Sequence, residues 1–255
     1  MITSKESCKE HASARRALPV RWATASSVIN AVFVDMDIAQ NLQVVKRRIT
    51  EAAHRAGRSP DEITLIAVTK GLTAQVVEDA VKAGIRHVGE NRVQEAMEKI
   101  GNLSKLQPHP TWHMIGHLQT NKVKTAVEIF DIIHSIDSLR LAQALSGRAK
   151  KPIPVLLQVN IAQEEPKSGF SEIELSKAMV EITRLPGLTI KGLMTIAPLV
   201  SDPEEVRPIF RRLRELRDSL GLEHLSMGMS DDFEVAVEEG ATMLRIGRAI
   251  FAEYR

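Results

Sequence analysis

The sequence predicts an α/β protein: one closed (β/α)8 barrel of the TIM type, with an extra helix on its N-terminal side. Three observations carry this. Eight short apolar runs follow one another after residue 62, helical patterns lie between them, and no second block of elements remains after residue 36. Strands that alternate with helices make a parallel sheet. A count of eight selects the closed barrel over an open sheet, because closure leaves no strand edge unpaired.

The extra helix comes first. Ile38, Leu42, Val45, Ile49, Ala52 and Ala56 recur at alternating steps of four and three, forming one apolar stripe that Gly57 and Pro60 bring to an end. The run ITLIAVT (63–69) is too short for a typical helix and rich in β-branched residues, so it reads as a buried strand. TAQVVEDAVKAG follows as a helix closed by Gly84, then IRHVGE (85–90) as a strand and NRVQEAMEKI as a helix. The remaining strands are TWHMIG (111–116), DIIHSI (131–136), PVLLQVNI (154–161), LTIKGLMT (188–195), HLSMG (224–228) and TMLRIG (242–247). Among the intervening helices are EIELSKAMVEITRL and PEEVRPIFRRLRELRDSL.

Composition narrows the function. The chain has 255 residues, 44% hydrophobic and 26% charged, as a soluble globular protein does. No apolar run reaches the roughly 18 residues of a membrane span, so no membrane association is expected. A single cysteine, Cys8, excludes a disulfide framework and points to a reducing, cytoplasmic setting. The 34 Lys and Arg against 32 Asp and Glu become an even balance once residues 1–35, with five against three, are set aside. A neutral body gives no electrostatic footprint for nucleic acid. Residues 1–35 lack any sustained period and are rich in Ser, Ala and Arg. They read as an extension outside the folded unit, with Met36 as its natural start; organellar targeting is the second reading, weakened by Glu6 and Glu10.

In such a barrel, function gathers at the C-terminal ends of the strands. That makes Lys70, Glu90, Asn91, Gly116, His117, Asn160, Thr195, Ser230, Arg245 and Gly247 the candidates. The loops after the last two strands commonly hold a phosphate through backbone N–H groups. Gly228 and Ser230 stand in one, Gly247 and Arg248 in the other. Ser230 as a plain N-cap of a helix beginning at Asp231 is the competing reading. A lysine at the first strand end, walled by LIAVT, with a phosphate anchor opposite, suits pyridoxal phosphate, which requires a Schiff-base lysine and a dianion site. Arg245 then sits near the ring rather than in solvent, where it would keep the pyridine nitrogen unprotonated. The alternative for Arg245 is an ion pair with a carboxylate such as Glu90.

The segments AVTKG, GENRVQEA, WHMIGHLQTNK, QVNIAQEEPKSGF, GLMTIAP and MGMSDDFEVAVEEGATMLRIG, in this order over residues 36–255, resemble the pyridoxal phosphate homeostasis protein family. Its members are single-domain relatives of the alanine racemase N-terminal barrel. The resemblance implies that Lys70 forms the Schiff base with pyridoxal 5'-phosphate and that Asn91 lies in the same cofactor site. It also implies that Ser230 with the Gly247 and Arg248 backbone binds phosphate, and that Arg245 faces the pyridine nitrogen. Two residues depart from the family pattern: Arg92 stands where an aromatic residue is common, and Arg248 where a small hydroxyl residue is common. The second departure removes a side-chain hydroxyl from the phosphate, for which a guanidinium is the available substitute.

Other features weigh less. His113 and His117 read as satisfied structural histidines, with no flanking carboxylate to make a metal pair, so no metal is expected. NKVK (121–124) reads as a solvated first helical turn, and RRLRELR (211–217) as the charged face of an outer helix. Lys167 is the best second lysine for receiving or handing on the aldehyde. The choice is then between a carrier that delivers the cofactor to apo-enzymes and an amino-acid racemase. Two-base racemisation needs a second acid/base, which in alanine racemase is a tyrosine of a separate domain; here the one tyrosine is Tyr254. A monomeric carrier with no catalytic residues is therefore expected. Deleting residues 1–35 should leave the melting temperature and cofactor binding unchanged, because no periodic apolar face in them calls for burial; a large drop in Tm would show that an integral element lies there.

Overall fold

The computed structural model describes residues 37–163 and 168–254. Residues 1–35 and Lys167 therefore lie outside the described part. Helix α1 (Ile38–Arg55) leads into eight strand–helix units: β1 (Thr64–Val68), α2 (Ala74–Lys82), β2 (His87–Glu90), α3 (Val93–Asn102), β3 (Thr111–Met114), α4 (Val123–Ile129), β4 (Ile132–Ile136) and α5 (Leu139–Ser146) form the first half. The second half runs β5 (Ile153–Gln158), α6 (Glu172–Ile182), β6 (Leu188–Met194), α7 (Arg207–Ser219), β7 (His224–Ser226), α8 (Phe233–Glu238), β8 (Met243–Ile246) and α9 (Arg248–Phe251). Each strand pairs in parallel with the next, and β8 closes on β1 with Thr64 opposite Met243 and Ala67 opposite Ile246. The closed (β/α)8 barrel with its extra helix is as the sequence predicts.

Side chains alternate along a strand, and here the alternation sorts two environments. Outward residues such as Ala67, Val88, Leu225 and Leu244 join the helices in one continuous apolar shell. Inward, Ile66, Leu156, Met194 and Met243 form a small separate cluster. Four further inward positions are polar and buried: His113, His134, Ser226 and Arg245. Helix α1 covers α8 and α9, held by Arg48 donating to Glu234 at 3.2 and 3.0 Å and by the Asn41 amide donating to the Ile250 carbonyl at 3.2 Å.

The predicted strands overrun their observed ends mainly on the C-terminal side. Ile115 and Gly116, Met227 and Gly228, and Gly247 leave the ladder and become the loops of the mouth. The helix expected to start at Asp231 starts at Phe233, with Asp232 as its N-cap residue. The arginines of α7 are more than a solvated face. Arg207, Arg211 and Arg214 converge on the buried carboxylate of Glu239 at 3.3, 2.9 and 3.1 Å, tying α7 to the end of α8.

Closure between β6 and β7 depends on a small residue. A Cβ on Gly192 would lie 2.0 Å from the His224 carbonyl oxygen, which is backbone and cannot swing aside. Gly192→Ala should therefore force these strands apart and cost about 3 kcal/mol or more, as overpacking does. A urea midpoint unchanged from wild type would show that the seam has slack.

Candidate functional site

At the C-terminal mouth the strand ends and loops enclose a cavity of about 550 Å³, well within the usual range for small-molecule sites. Lys70, Asn91, Ser230, Arg245, Gly247 and Arg248 all line it, so the fold brings the six predicted site residues together. Val68 and Ile115 give apolar wall, and Ile196 and Leu199 stand at its rim, Leu199 88% exposed.

Lys70 sits just past β1, where Gly71 takes φ +74° and turns the chain toward α2. Among the described residues nothing pairs with its amine. Its backbone, by contrast, is pinned from beneath. Lys99 reaches up from α3 to donate to the Thr69 carbonyl at 2.7 Å and to Glu90 Oε1 at 2.6 Å, and the Thr69 hydroxyl donates to the same oxygen at 2.5 Å. All three residues are buried. The Gly71 N–H adds a bond to Glu95 Oε2 at 3.1 Å. Burial pushes the Glu90 carboxyl above its ordinary range, against the opposing pull of the Lys99 and Thr69 hydrogen bonds. Glu90 is thus committed to Lys99, not to Arg245.

Ser230 and Gly247 face the cavity from the opposite side. The Ser230 hydroxyl accepts from the Ala249 N–H at 3.2 Å, which joins the β7 loop to the head of α9. It does not cap α8; that loop is held instead by Asp232, whose carboxylate accepts from the Met229 N–H at 2.5 Å. Gly228 has φ +91°, and a Cβ there would lie 2.6 Å from that of Ala236. Its smallness is therefore required by α8 packing behind the loop. Arg248, the departure noted in the sequence, directs its guanidinium to Asp231 across the mouth. Its side chain is engaged with that carboxylate, so of this wall Ser230 and the main chain at Gly247 and Arg248 are left to the cavity.

Arg245 projects inward from β8, 5% exposed. It donates to Ser226 Oγ at 2.7 Å and to the Thr195 carbonyl at 2.8 Å. Burial pushes its pKa down to about 10, with Asp232 acting the other way, so it stays charged at neutral pH. A guanidinium carries five donor hydrogens, and two of them are used in these bonds. The rest belong to a buried cation at a cavity wall, which suits an acceptor on a ligand.

The chain matches the family model described as alanine racemase, N-terminal domain, over residues 38–255. It is 43% identical to the pyridoxal phosphate homeostasis protein of Aquifex aeolicus (strain VF5) over 86% of this chain and 99% of that protein. The chain belongs to the pyridoxal phosphate homeostasis protein family. Among solved structures, PipY of Synechococcus elongatus PCC7942, with PLP bound, is 37% identical with a TM-score of 0.75 over 84% of this chain and all of that one. An alanine racemase of Clostridium difficile 630, at 17% identity and TM-score 0.61, shares the fold; the match covers 58% of its length.

Sequence reasoning missed several residues in and around this cavity. Nothing in the sequence singles out Lys99, whose burial follows from how α3 lies on β2. His113 and His117 do not share a site. His113 is buried between two other histidines, while His117 lines the cavity and has a carboxylate partner after all, Asp137 Oδ2 at 3.0 Å, contributed by the loop after β4. Lys99→Met should cost about 3–5 kcal/mol at neutral pH, because it strands a buried carboxylate. Without the lysine, the folded pKa of Glu90 rises further above the unfolded value of about 4.3. The deficit should then be greatest at neutral pH and shrink as the pH falls toward the unfolded value. Urea midpoints taken between neutral and acid pH check this; a pH-independent deficit would place the damage in packing alone.

Proposed function

We propose that this chain holds pyridoxal 5'-phosphate in the mouth of the barrel and passes it to apo-enzymes that require it, acting as a cytoplasmic monomer in cofactor homeostasis. The observation that carries the reading is the pairing of two cations across one cavity. Lys70 offers an amine without a carboxylate partner among the described residues, and Arg245 offers unused donors from a buried guanidinium. A 37%-identical protein solved with PLP bound supports it.

Bound there, the cofactor supplies an aldehyde that condenses with primary amines. The residues divide the remaining work. Lys70 supplies the amine, and the Thr69–Glu90–Lys99 group fixes where its backbone stands. Ser230 and the Gly247–Arg248 main chain receive the phosphate, and Asn91 lines the wall beside Lys70. Arg245 donates to the ring nitrogen and, being itself charged, keeps that nitrogen an acceptor. A ring so held is a weak electron sink, which favours storage over turnover of amino acids.

A second reading, a feeble amino-acid racemase, is favoured by one observation. His117 lines the same cavity with its Nδ1 at 3.0 Å from Asp137, an arrangement able to serve as a second base. Lys70→Ala should fold normally and lose the borohydride-sensitive visible band. An adduct that persists would move the attachment to another lysine, Lys167 first. Wild-type protein loaded with pyridoxal phosphate should restore an apo-enzyme in the presence of a scavenger of free aldehyde, while racemising alanine negligibly, since each missing general acid–base group costs ~10²–10⁴-fold. Robust racemase turnover that disappears in His117→Ala, with no transfer to apo-enzyme, would establish the enzyme instead.

A further inference from the structure

The barrel interior contains an arrangement that the cavity by itself does not require. Three imidazoles stand in series behind Arg245. His87 Nδ1 is 3.0 Å from His113 Nε2, His113 Nδ1 is 2.9 Å from His134 Nε2, and His134 Nδ1 is 2.9 Å from Ser226 Oγ. Ser226 Oγ in turn receives the 2.7 Å bond from Arg245. The rings meet edge to face, their centroids 5.2 and 5.1 Å apart. His113 and His134 are fully buried; His87, the first residue of β2, is half-buried at the end away from the mouth.

The chemistry of the first donor sets the direction of the whole series. A guanidinium only donates, so Ser226 Oγ accepts from Arg245. The serine proton then needs an acceptor of its own, and among the described residues His134 Nδ1 is the one in reach. His134 must therefore carry its proton on Nε2, which donates to His113 Nδ1. His113 likewise carries its proton on Nε2 and donates to His87 Nδ1. The opposite tautomers would leave a buried hydroxyl proton without an acceptor, about a tenfold or greater penalty in population. Burial keeps the series neutral: it pushes His113 down to about 3, His134 well below the ordinary value, and His87 lower as well. The charged and titratable neighbours are Asp131 beside His87, His224 and Arg245 beside His134, and Asp232 acting on Arg245.

We propose that His134, His113 and His87 are positioning residues for the ring end of the cofactor site, a neutral one-directional hydrogen-bonded wire that keeps Ser226 an acceptor and so fixes the Arg245 guanidinium at the cavity wall. None of the three touches the cavity; they act through Ser226 and Arg245. The proposal rests on the reading that Arg245 meets the ring nitrogen of pyridoxal phosphate.

Two measurements test it separately. In the cofactor-free protein, long-range proton–nitrogen NMR should show His113 and His134 neutral and protonated on Nε2 from pH 6 to 8 (a window about the ordinary imidazole pKa). Protonation on Nδ1, or an imidazolium, would overturn the wire. With pyridoxal phosphate added, His134→Leu, which removes the acceptor for Ser226, should weaken binding about tenfold to a hundredfold and shift the visible band, the worth of a hydrogen bond to a charged group. His134→Asn places an amide oxygen near the lost Nδ1 and should restore the band and bring affinity to within about threefold of wild type. Melting temperatures show that each variant is folded. No change in the Leu variant, or equal loss in the folded Asn variant, would make the histidines filling only and overturn the proposal. Arg245→Gln isolates the underlying reading. If it leaves band and affinity unchanged while the wild-type tautomers are as expected, the wire exists but the ring end lies elsewhere, which overturns its role toward the cofactor.

Discussion

A guanidinium buried inside a barrel is the constraint around which this site is arranged. Arg245 stays charged even with its pKa pushed down to about 10, and it can only donate. Every group around it must therefore accept or remain neutral. The Thr195 carbonyl and the Ser226 hydroxyl accept, the imidazoles behind them stay uncharged, and Asp232 supplies an opposing charge without touching the guanidinium. Two of the five donors are satisfied in this way. What remains is a directional preference in the cavity for a ligand atom with a lone pair.

The lysine across the mouth is managed by the opposite means. Lys70 is left exposed and unpaired among the described residues, and a second lysine beneath it carries the structural load. Lys99 takes the buried carboxylate of Glu90 and the carbonyl of Thr69, so the chain enters Lys70 from a fixed point. Had Glu90 paired with Arg245 instead, the free donors of the guanidinium would have been consumed and Lys99 would have been left buried without a counter-ion. The two buried cations thus need separate acceptors, and the fold provides them on different strands.

The sequence makes the framework legible because strand runs and helix stripes are local patterns. The eight apolar runs, the α1 stripe and the positions of Lys70, Ser230 and Arg245 at strand ends all follow from periodicity plus the barrel rule. What is not legible is partnership at long separation. Thr195 lies 50 residues from Arg245, Ser226 lies 92 from His134, and Asp137 lies 20 from His117. His113 appears in the sequence as a lone histidine on a strand, and only the register of β2, β3 and β4 sets it between two others. Lys99 illustrates the other failure: it shares the buried face of α3 with Val93 and Ala96, and its long stem lets the ammonium reach a buried carboxylate that no local pattern announces. Asp137 beside His117 is invisible to the sequence for the same reason, since it arrives from the next unit of the barrel.

The rim of the cavity bears on why such a site would hold a cofactor without consuming it. Enzymes that run carbanion chemistry close loops over the reacting centre to exclude water. Here Leu199 is 88% exposed and Ile196 39% exposed at the rim, and the Arg248–Asp231 pair stands at the surface, where ion pairs are worth little. Arg245 and the Thr69–Glu90–Lys99 group beneath Lys70 are buried and hydrogen-bonded, whereas among the described residues the rim is exposed and weakly held. On the proposed carrier reading this division has a physical use. Orientation comes from Arg245, Ser230 and the pinned Lys70, so binding is selective. Release requires no core rearrangement, only exchange of the Lys70 amine for another at an open mouth. A site organised this way discriminates by geometry while leaving its ligand accessible to the next protein.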